Sequence, residues 1–166
     1  MSTDQPQRCD HTSVGVVIEG PGGYLAMLKR ARFPVGIAPV AGHVDLHGTP
    51  RLAALAEAAE ELGVNLDDEQ LETTPICGRV VDNRCRRAGG HYHSWWIYRV
   101  ALASLVELIP DSAETLGASW CAPAVVADLA ARTRAYRSGE LSATSWSNEP
   151  GLEEVWVEFL TELRYI

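Results

Sequence analysis

The stretch Glu57-Ala58-Ala59-Glu60-Glu61-Leu62-Gly63-Val64 places three carboxylates within five residues and closes on a glycine. Upstream, Thr49 to Leu62 reads TPRLAALAEAAEEL. Thr49 suits an N-cap and Pro50 the first helical position, where a missing N–H costs nothing. Ala, Leu and Glu fill most of the rest and are strong helix formers. Leu52, Leu55, Ala59 and Leu62 recur at spacings of three and four and predict the apolar stripe. Gly63 fits the residue that ends many helices. On such a helix Glu57, Glu60 and Glu61 are neighbours, and exposed like charges at these spacings repel by roughly a few tenths of a kcal/mol per pair. A cation removes that repulsion, and carboxylate oxygens are hard ligands suited to Mg²⁺ or Mn²⁺. The competing reading is a solvated acidic face.

Gly42, in Pro39-Val40-Ala41-Gly42-His43-Val44-Asp45, precedes Glu57 by fifteen residues. With it, the segment from Gly42 to Val64 resembles the Nudix box, G-x5-E-x7-R-E-U-x-E-E-x-G-U, where U is aliphatic. Without gaps, Gly42 takes the first glycine, Glu57 the Glu of the Arg-Glu pair, Glu60 and Glu61 the double Glu, and Gly63 and Val64 the end. Three positions depart from it. Gly48 stands in place of the first Glu, Ala56 in place of the Arg, and Ala58 in place of a larger aliphatic. In the family that Glu and Arg support the loop against the helix. Their joint absence leaves no single buried charge unpaired, which would be the costlier outcome.

The resemblance implies an α/β fold, a Nudix-type α/β/α sandwich with a central mixed sheet. It implies Mg²⁺- or Mn²⁺-dependent hydrolysis of a diphosphate bond in a nucleoside diphosphate linked to another group. Glu57, Glu60 and Glu61 would be catalytic and, with Gly42 through its backbone carbonyl, would ligate the metal. Glu57 is the in-box candidate for the base, and Glu107 and Glu114 are candidates from a later loop. The departures at Gly48 and Ala56 favour an alternative, a module that binds a nucleotide derivative with little or no hydrolysis. A non-hydrolytic relative of isoprenoid-diphosphate isomerases ranks last, because that group's catalytic cysteine motif is not evident. The family is frequently dimeric, so a homodimer is a further expectation.

The rest of the chain agrees. Its 166 residues predict one domain over 1–166, with residues 1–10 as a flexible tail. A net charge of −8 argues against nucleic-acid polymers and anionic membranes as partners. No apolar run approaches the roughly 18 residues of a membrane span, and the N-terminus lacks a signal-peptide core, so the cytoplasm is the expected location. Strands are predicted at Thr12–Glu19, Tyr24–Lys29, Ile37–Val40, Pro75–Asp82 and His93–Ala103, with a short one near Trp120. Further helices are predicted at Ala124–Tyr136 and Leu152–Leu163.

Arg79, Arg84, Arg86 and Arg87 fall within nine residues of an acidic chain. Guanidinium forks match phosphate oxygens, so these residues are candidates for substrate binding. The aromatics Tyr92, Trp95, Trp96 and Tyr98 alternate along a predicted strand; stacking on a base competes with a place in the core, and the core reading is preferred. The cysteines Cys9, Cys77, Cys85 and Cys121 make no CxxC pair. Cys85 with His91 and His93 would make only a partial metal site, lacking a fourth ligand.

Overall fold

The computed structural model describes residues 7–166. Strand β1 (Thr12–Gly20) turns through Pro21–Gly23 into β2 (Tyr24–Arg30). Two short strands follow, β3 (Ile37–Ala38) and β4 (Val40–His43), separated by Pro39, which has no N–H for a ladder. Helix α1 (Pro50–Leu62) leads to β5 (Glu72–Val81), β6 (His93–Ala101) and β7 (Thr115–Cys121). Helices α2 (Pro123–Arg137), α3 (Ala143–Asn148) and α4 (Glu154–Glu162) complete the chain.

Among the described residues the seven strands form one mixed sheet in the order β3-β2-β1-β6-β5, with β4 pairing β1 and β7 pairing β2. β1 is central. It runs parallel to β6 from Thr12 opposite Ser94 to Glu19 opposite Ala101. On its other side it pairs antiparallel with β4 over Ser13–Val16 and with β2 at its far end. Strand alternation therefore divides the core in two. Val14, Val16, Ile18, Ala26 and Leu28 pack with Ala53, Ala54, Ala58 and Leu62 of α1. Val17, Leu25, Met27, Trp95 and Ile97 pack on the opposite face with Trp156, Phe159 and Leu160 of α4 and with Val126 and Ala130 of α2. This is the expected helix–sheet–helix sandwich.

Several expectations shift. The buried stripe of α1 is Ala53, Ala54, Ala58 and Leu62, while Leu52 is 53% exposed. Spacings of three and four fit either set. The small alanines bring the helix close to the sheet, and that rotation turns Glu61 inward. β5 begins three residues earlier than predicted, and its pairing with β6 slips around Pro75 and again at Gly78. Proline is tolerated there because β5 is an edge strand. Helix α3 was not foreseen; Ser142 caps it by accepting a hydrogen bond from the Ser145 N–H. Of the predicted tail, residues 1–6 lie outside the described residues, whereas Arg8 bridges Ala88 and Cys9 is buried. Among the described residues no helix is long and apolar enough to cross a membrane.

Trp95, Trp156 and Phe159 meet edge to face, with centroids 5.3–6.1 Å apart. Replacing fully buried Phe159 by Ala is expected to destabilise the fold by about 3–5 kcal/mol, measured by denaturant unfolding. A loss below about 1 kcal/mol would mean that α4 does not anchor this half of the core.

Candidate active site

Helix α1 begins as the sequence predicts, with Thr49 Oγ1 accepting from the Leu52 N–H at 3.2 Å. It ends at Gly63 in a left-handed conformation, the Gly63 and Val64 amides returning to the carbonyls of Ala59 and Ala58. These caps and the alanine stripe fix the direction in which Glu57 and Glu61, four residues apart, project. Both meet β4. Glu61 is 6% exposed, and its Oε2 accepts the Ala41 N–H at 2.9 Å. The Glu57 carboxylate lies against the α-carbon of Gly42, where any side chain would overlap it. Gly42 is thus required by close approach. β4 is itself held by β1, with Gly42 opposite Val14.

Gly42, Glu57 and Glu61 line a cleft of ≈ 730 Å³. Arg30 at the end of β2 and Arg32 just beyond it enter the same cleft, as do Arg86 and Glu114. No spacing in the sequence marks Arg30 and Arg32, because strand pairing brings them in. Of the two later-loop candidates, Glu114 lines the cleft, whereas Glu107 is exposed and is not part of the cleft lining. Glu60 was expected as a ligand, yet it is exposed and also lies off the cleft lining. The rotation of α1 that buries Glu61 turns Glu60 outward.

The four arginines separate. Arg86 and Arg87 reach the cleft, and Arg84 lines a small neighbouring pocket. Arg79 does not join them; it pairs with Glu162 of α4. Arg87 binds Asp45 in a bidentate pair, Nη1 to Oδ1 at 2.5 Å and Nη2 to Oδ2 at 2.7 Å. That pair explains the altered box. Gly48 sits at φ +87°, strained for any other residue, and closes the turn Asp45–His47. The turn is held from outside by Arg87 and by Asp10, whose Oδ2 accepts the Asp45 N–H at 3.0 Å. A charge-assisted fork thus ties down the loop in place of the absent Glu–Arg support. The Arg87 guanidinium holds the Asp45 carboxyl below its ordinary range. Of the aromatics, Trp95 and Tyr98 take the core reading, buried on opposite faces of the sheet; Trp96 is partly buried and Tyr92 is exposed.

Burial, followed by the charges of Glu60 and Glu114, pushes Glu57 up to about 7. Burial also raises Glu61, to about 8, against the pull of the Ala41 N–H. Carrying the Glu57 charge in the fold rather than in water costs roughly 3 kcal/mol, at 1.36 kcal/mol per unit. That is several times the repulsion of exposed carboxylates, and Arg30 offsets only part of it. Two hard oxygen donors converging on one cleft with their charge undercompensated fit a divalent cation.

A family model described as NUDIX domain matches residues 10–144. The chain belongs to the Nudix family. No curated protein matches it in sequence. Among solved structures it is similar to the Escherichia coli dihydroneopterin triphosphate pyrophosphohydrolase, with 26% identity and a TM-score of 0.59 over 73% of this chain and 87% of that one. It is also similar to the NUDIX domain of Shewanella oneidensis NrtR, solved in complex with ADP ribose. There the identity is 17% and the TM-score 0.57, over 77% of this chain and 81% of that one. A Francisella tularensis bifunctional NMN adenylyltransferase/ADP ribose pyrophosphatase, solved with AMP and a Mn ion, shares 18% identity and a TM-score of 0.59. It covers 97% of this chain, which spans 43% of that larger protein. At these identities the latter two show the Nudix fold alone.

The raised carboxylates set a sign for pH dependence. Their folded values exceed the ordinary 4.5, so their contribution to stability is full below pH 4.5 and is lost as pH rises through 7 to 8. A cation that displaces these protons restores it. In thermal unfolding, Mn²⁺ is therefore expected to raise the Tm more at pH 8 than at pH 5.5. An equal or larger shift at pH 5.5 would contradict this assignment.

Proposed function

We propose that this Nudix hydrolase cleaves a diphosphate bond in a nucleoside diphosphate linked to another group, using Mg²⁺ or Mn²⁺ held by Glu57 and Glu61. The observation that carries the reading is the meeting of half-buried Glu57, against Gly42, and buried Glu61, on the Ala41 N–H, in one arginine-lined cleft. Family resemblance adds the Gly42 carbonyl as a further ligand. When bound, the metal supplies phosphate-charge neutralisation and activation of water.

The chain's own residues do the rest. Glu57 and Glu61 offer full carboxylate charge to a cation only when ionised, so loading the site requires them to release protons. Arg30, Arg32 and Arg86 supply cationic forks along the cleft for phosphate oxygens. With the two α1 carboxylates committed to the cation, Glu114 is the cleft carboxylate left to accept a proton from the attacking water. Arg30 also lies 3.5 Å from Glu153, which is buried and anchors it from behind. The Asp45–Arg87 fork keeps the box loop in register with the helix. The absence of the box Glu and Arg favours a second reading, in which the cleft holds a nucleotide derivative without cleaving it.

Purified protein is to be screened with ADP-ribose, dinucleoside polyphosphates, nucleotide sugars and nucleoside triphosphates, with Mg²⁺ and with Mn²⁺, reading phosphate or nucleoside monophosphate. Glu57→Gln and Glu61→Gln are expected to lower turnover by about 10²-fold or more, with the fold retained by circular dichroism. Glu60→Gln is expected to keep most of it. EDTA should stop the reaction. Unchanged turnover in either Gln variant, or EDTA-resistant turnover, would refute the mechanism. Binding of a panel member without turnover in the presence of both metals would select the second reading.

A further inference from the structure

Away from the α1 carboxylates, four other metal-ligating side chains meet. The ligand atoms of Cys9, His43, Cys85 and His93 all lie within 4.8 Å of one another. Cys9 Sγ is 3.7 Å from Cys85 Sγ, 3.5 Å from His43 Nε2 and 3.2 Å from His93 Nε2. The sequence paired Cys85 and His93 with His91 and found no fourth ligand. His91 is exposed, and two residues far away in the chain complete the set.

We infer that Cys9, His43, Cys85 and His93 form a structural Zn²⁺ site, distinct from the α1 carboxylate site. The donor set is the two-thiolate, two-imidazole kind that suits zinc and excludes Mg²⁺. In a regular tetrahedron, Zn–S near 2.3 Å and Zn–N near 2.05 Å put sulfur atoms about 3.8 Å apart and sulfur about 3.5 Å from nitrogen. The three distances agree within a few tenths of an ångström.

The surrounding atoms prepare the site. His93 Nδ1 is 3.0 Å from both the backbone oxygen and the Oδ1 of Asn83. Trp95 Nε1–H, which can only donate, bonds the same Oδ1 at 3.0 Å. Nδ1 faces acceptors alone and therefore carries the ring proton, which leaves the Nε2 lone pair directed at Cys9. An outer hydrogen bond that orients a ligating imidazole in this way is the usual support of a zinc histidine. The backbone brings the thiols together: the Cys9 N–H bonds the Ala88 carbonyl at 3.0 Å and the Cys85 N–H bonds the Gly90 carbonyl at 2.9 Å. A side chain at Gly90 would overlap Cys85 Sγ. A small pocket of ≈ 40 Å³ reaches His43, Cys85 and His93 and gives the ion access. Loading replaces two thiol protons by one Zn²⁺ and releases both protons to solvent, so the net charge of the cluster is unchanged.

The site joins the segment before β1, the end of β4 and the loop between β5 and β6. That loop carries Arg84, Arg86 and Arg87, so zinc clamps the arginines beside the cleft. This role does not depend on the substrate or on hydrolysis.

The test loads the full chain with Zn²⁺ under reducing conditions, gel-filters it in excess Mg²⁺ and measures metal by mass spectrometry. One zinc per chain is expected, retained by the Glu57→Gln/Glu61→Gln double variant and lost from Cys85→Ser and His43→Gln. Co²⁺ loading of the wild type should give thiolate-to-cobalt charge-transfer absorption and intense tetrahedral bands. That spectrum decides the matter if a variant fails to fold. Zinc should also slow tryptic cleavage after Arg84, Arg86 and Arg87 by about tenfold or more, following closure of the loop. Absence of zinc from the loaded wild type, retention by Cys85→Ser, or a Co²⁺ spectrum without sulfur ligation would each overturn the assignment.

Discussion

Two carboxylates, Glu57 and Glu61, are held largely out of water against the backbone of β4, and the rest of the structure is arranged around that costly placement. It requires α1 to lie close to the sheet, which Ala53, Ala54 and Ala58 permit. It requires a strand with no side chain at Gly42 and a free amide at Ala41. It also requires that β4 not move, and β1 secures this by pairing with β4 on one side and β6 on the other. Burial that raises both carboxylates is unfavourable alone and becomes useful when a cation and phosphate charge enter together.

The loop before α1 shows how a familiar support can be replaced. The Glu and Arg of the box are absent at Gly48 and Ala56, and the same loop is tied instead to Arg87, more than forty residues downstream in sequence. The fork is partly buried, both side chains being about a quarter exposed or less, so it is screened less than a surface pair. It couples the box to the β5–β6 loop. The Cys/His cluster couples the same loop to the segment before β1 and to His43, next to Gly42. Two independent ties thus hold one loop at the edge of the cleft.

What the sequence made legible was local. The cap at Thr49, the helix end at Gly63 and the spacing from Gly42 to Glu57 all follow from short-range rules, and the structure honours each. Periodicity alone could not choose between the Leu52–Leu55–Ala59 face and the Ala54–Ala58–Leu62 face, because both obey the same spacing. That ambiguity is what left Glu60 grouped with the buried pair. The arginine run looked like one clamp because its members are close in sequence; the pleat of β5 and the course of the loop send Arg79 and Arg86 to different places. Arg30, Arg32, Cys9 and His43 gave no signal, since strand pairing and a backbone bridge bring them to their partners across long stretches of chain. Helix α3 rests on one serine cap, too short a pattern to stand out.

The central claim is that Glu57 and Glu61 share one divalent cation beside Gly42. It is tested most directly by crystals of the wild-type protein grown with Mn²⁺, with an anomalous difference map calculated at the manganese edge. The account predicts a peak within coordination distance of both carboxylates and adjacent to the Gly42 backbone, with no peak at Glu60. A manganese peak elsewhere, with Glu57 and Glu61 unligated in a protein that still hydrolyses its substrate, would contradict it.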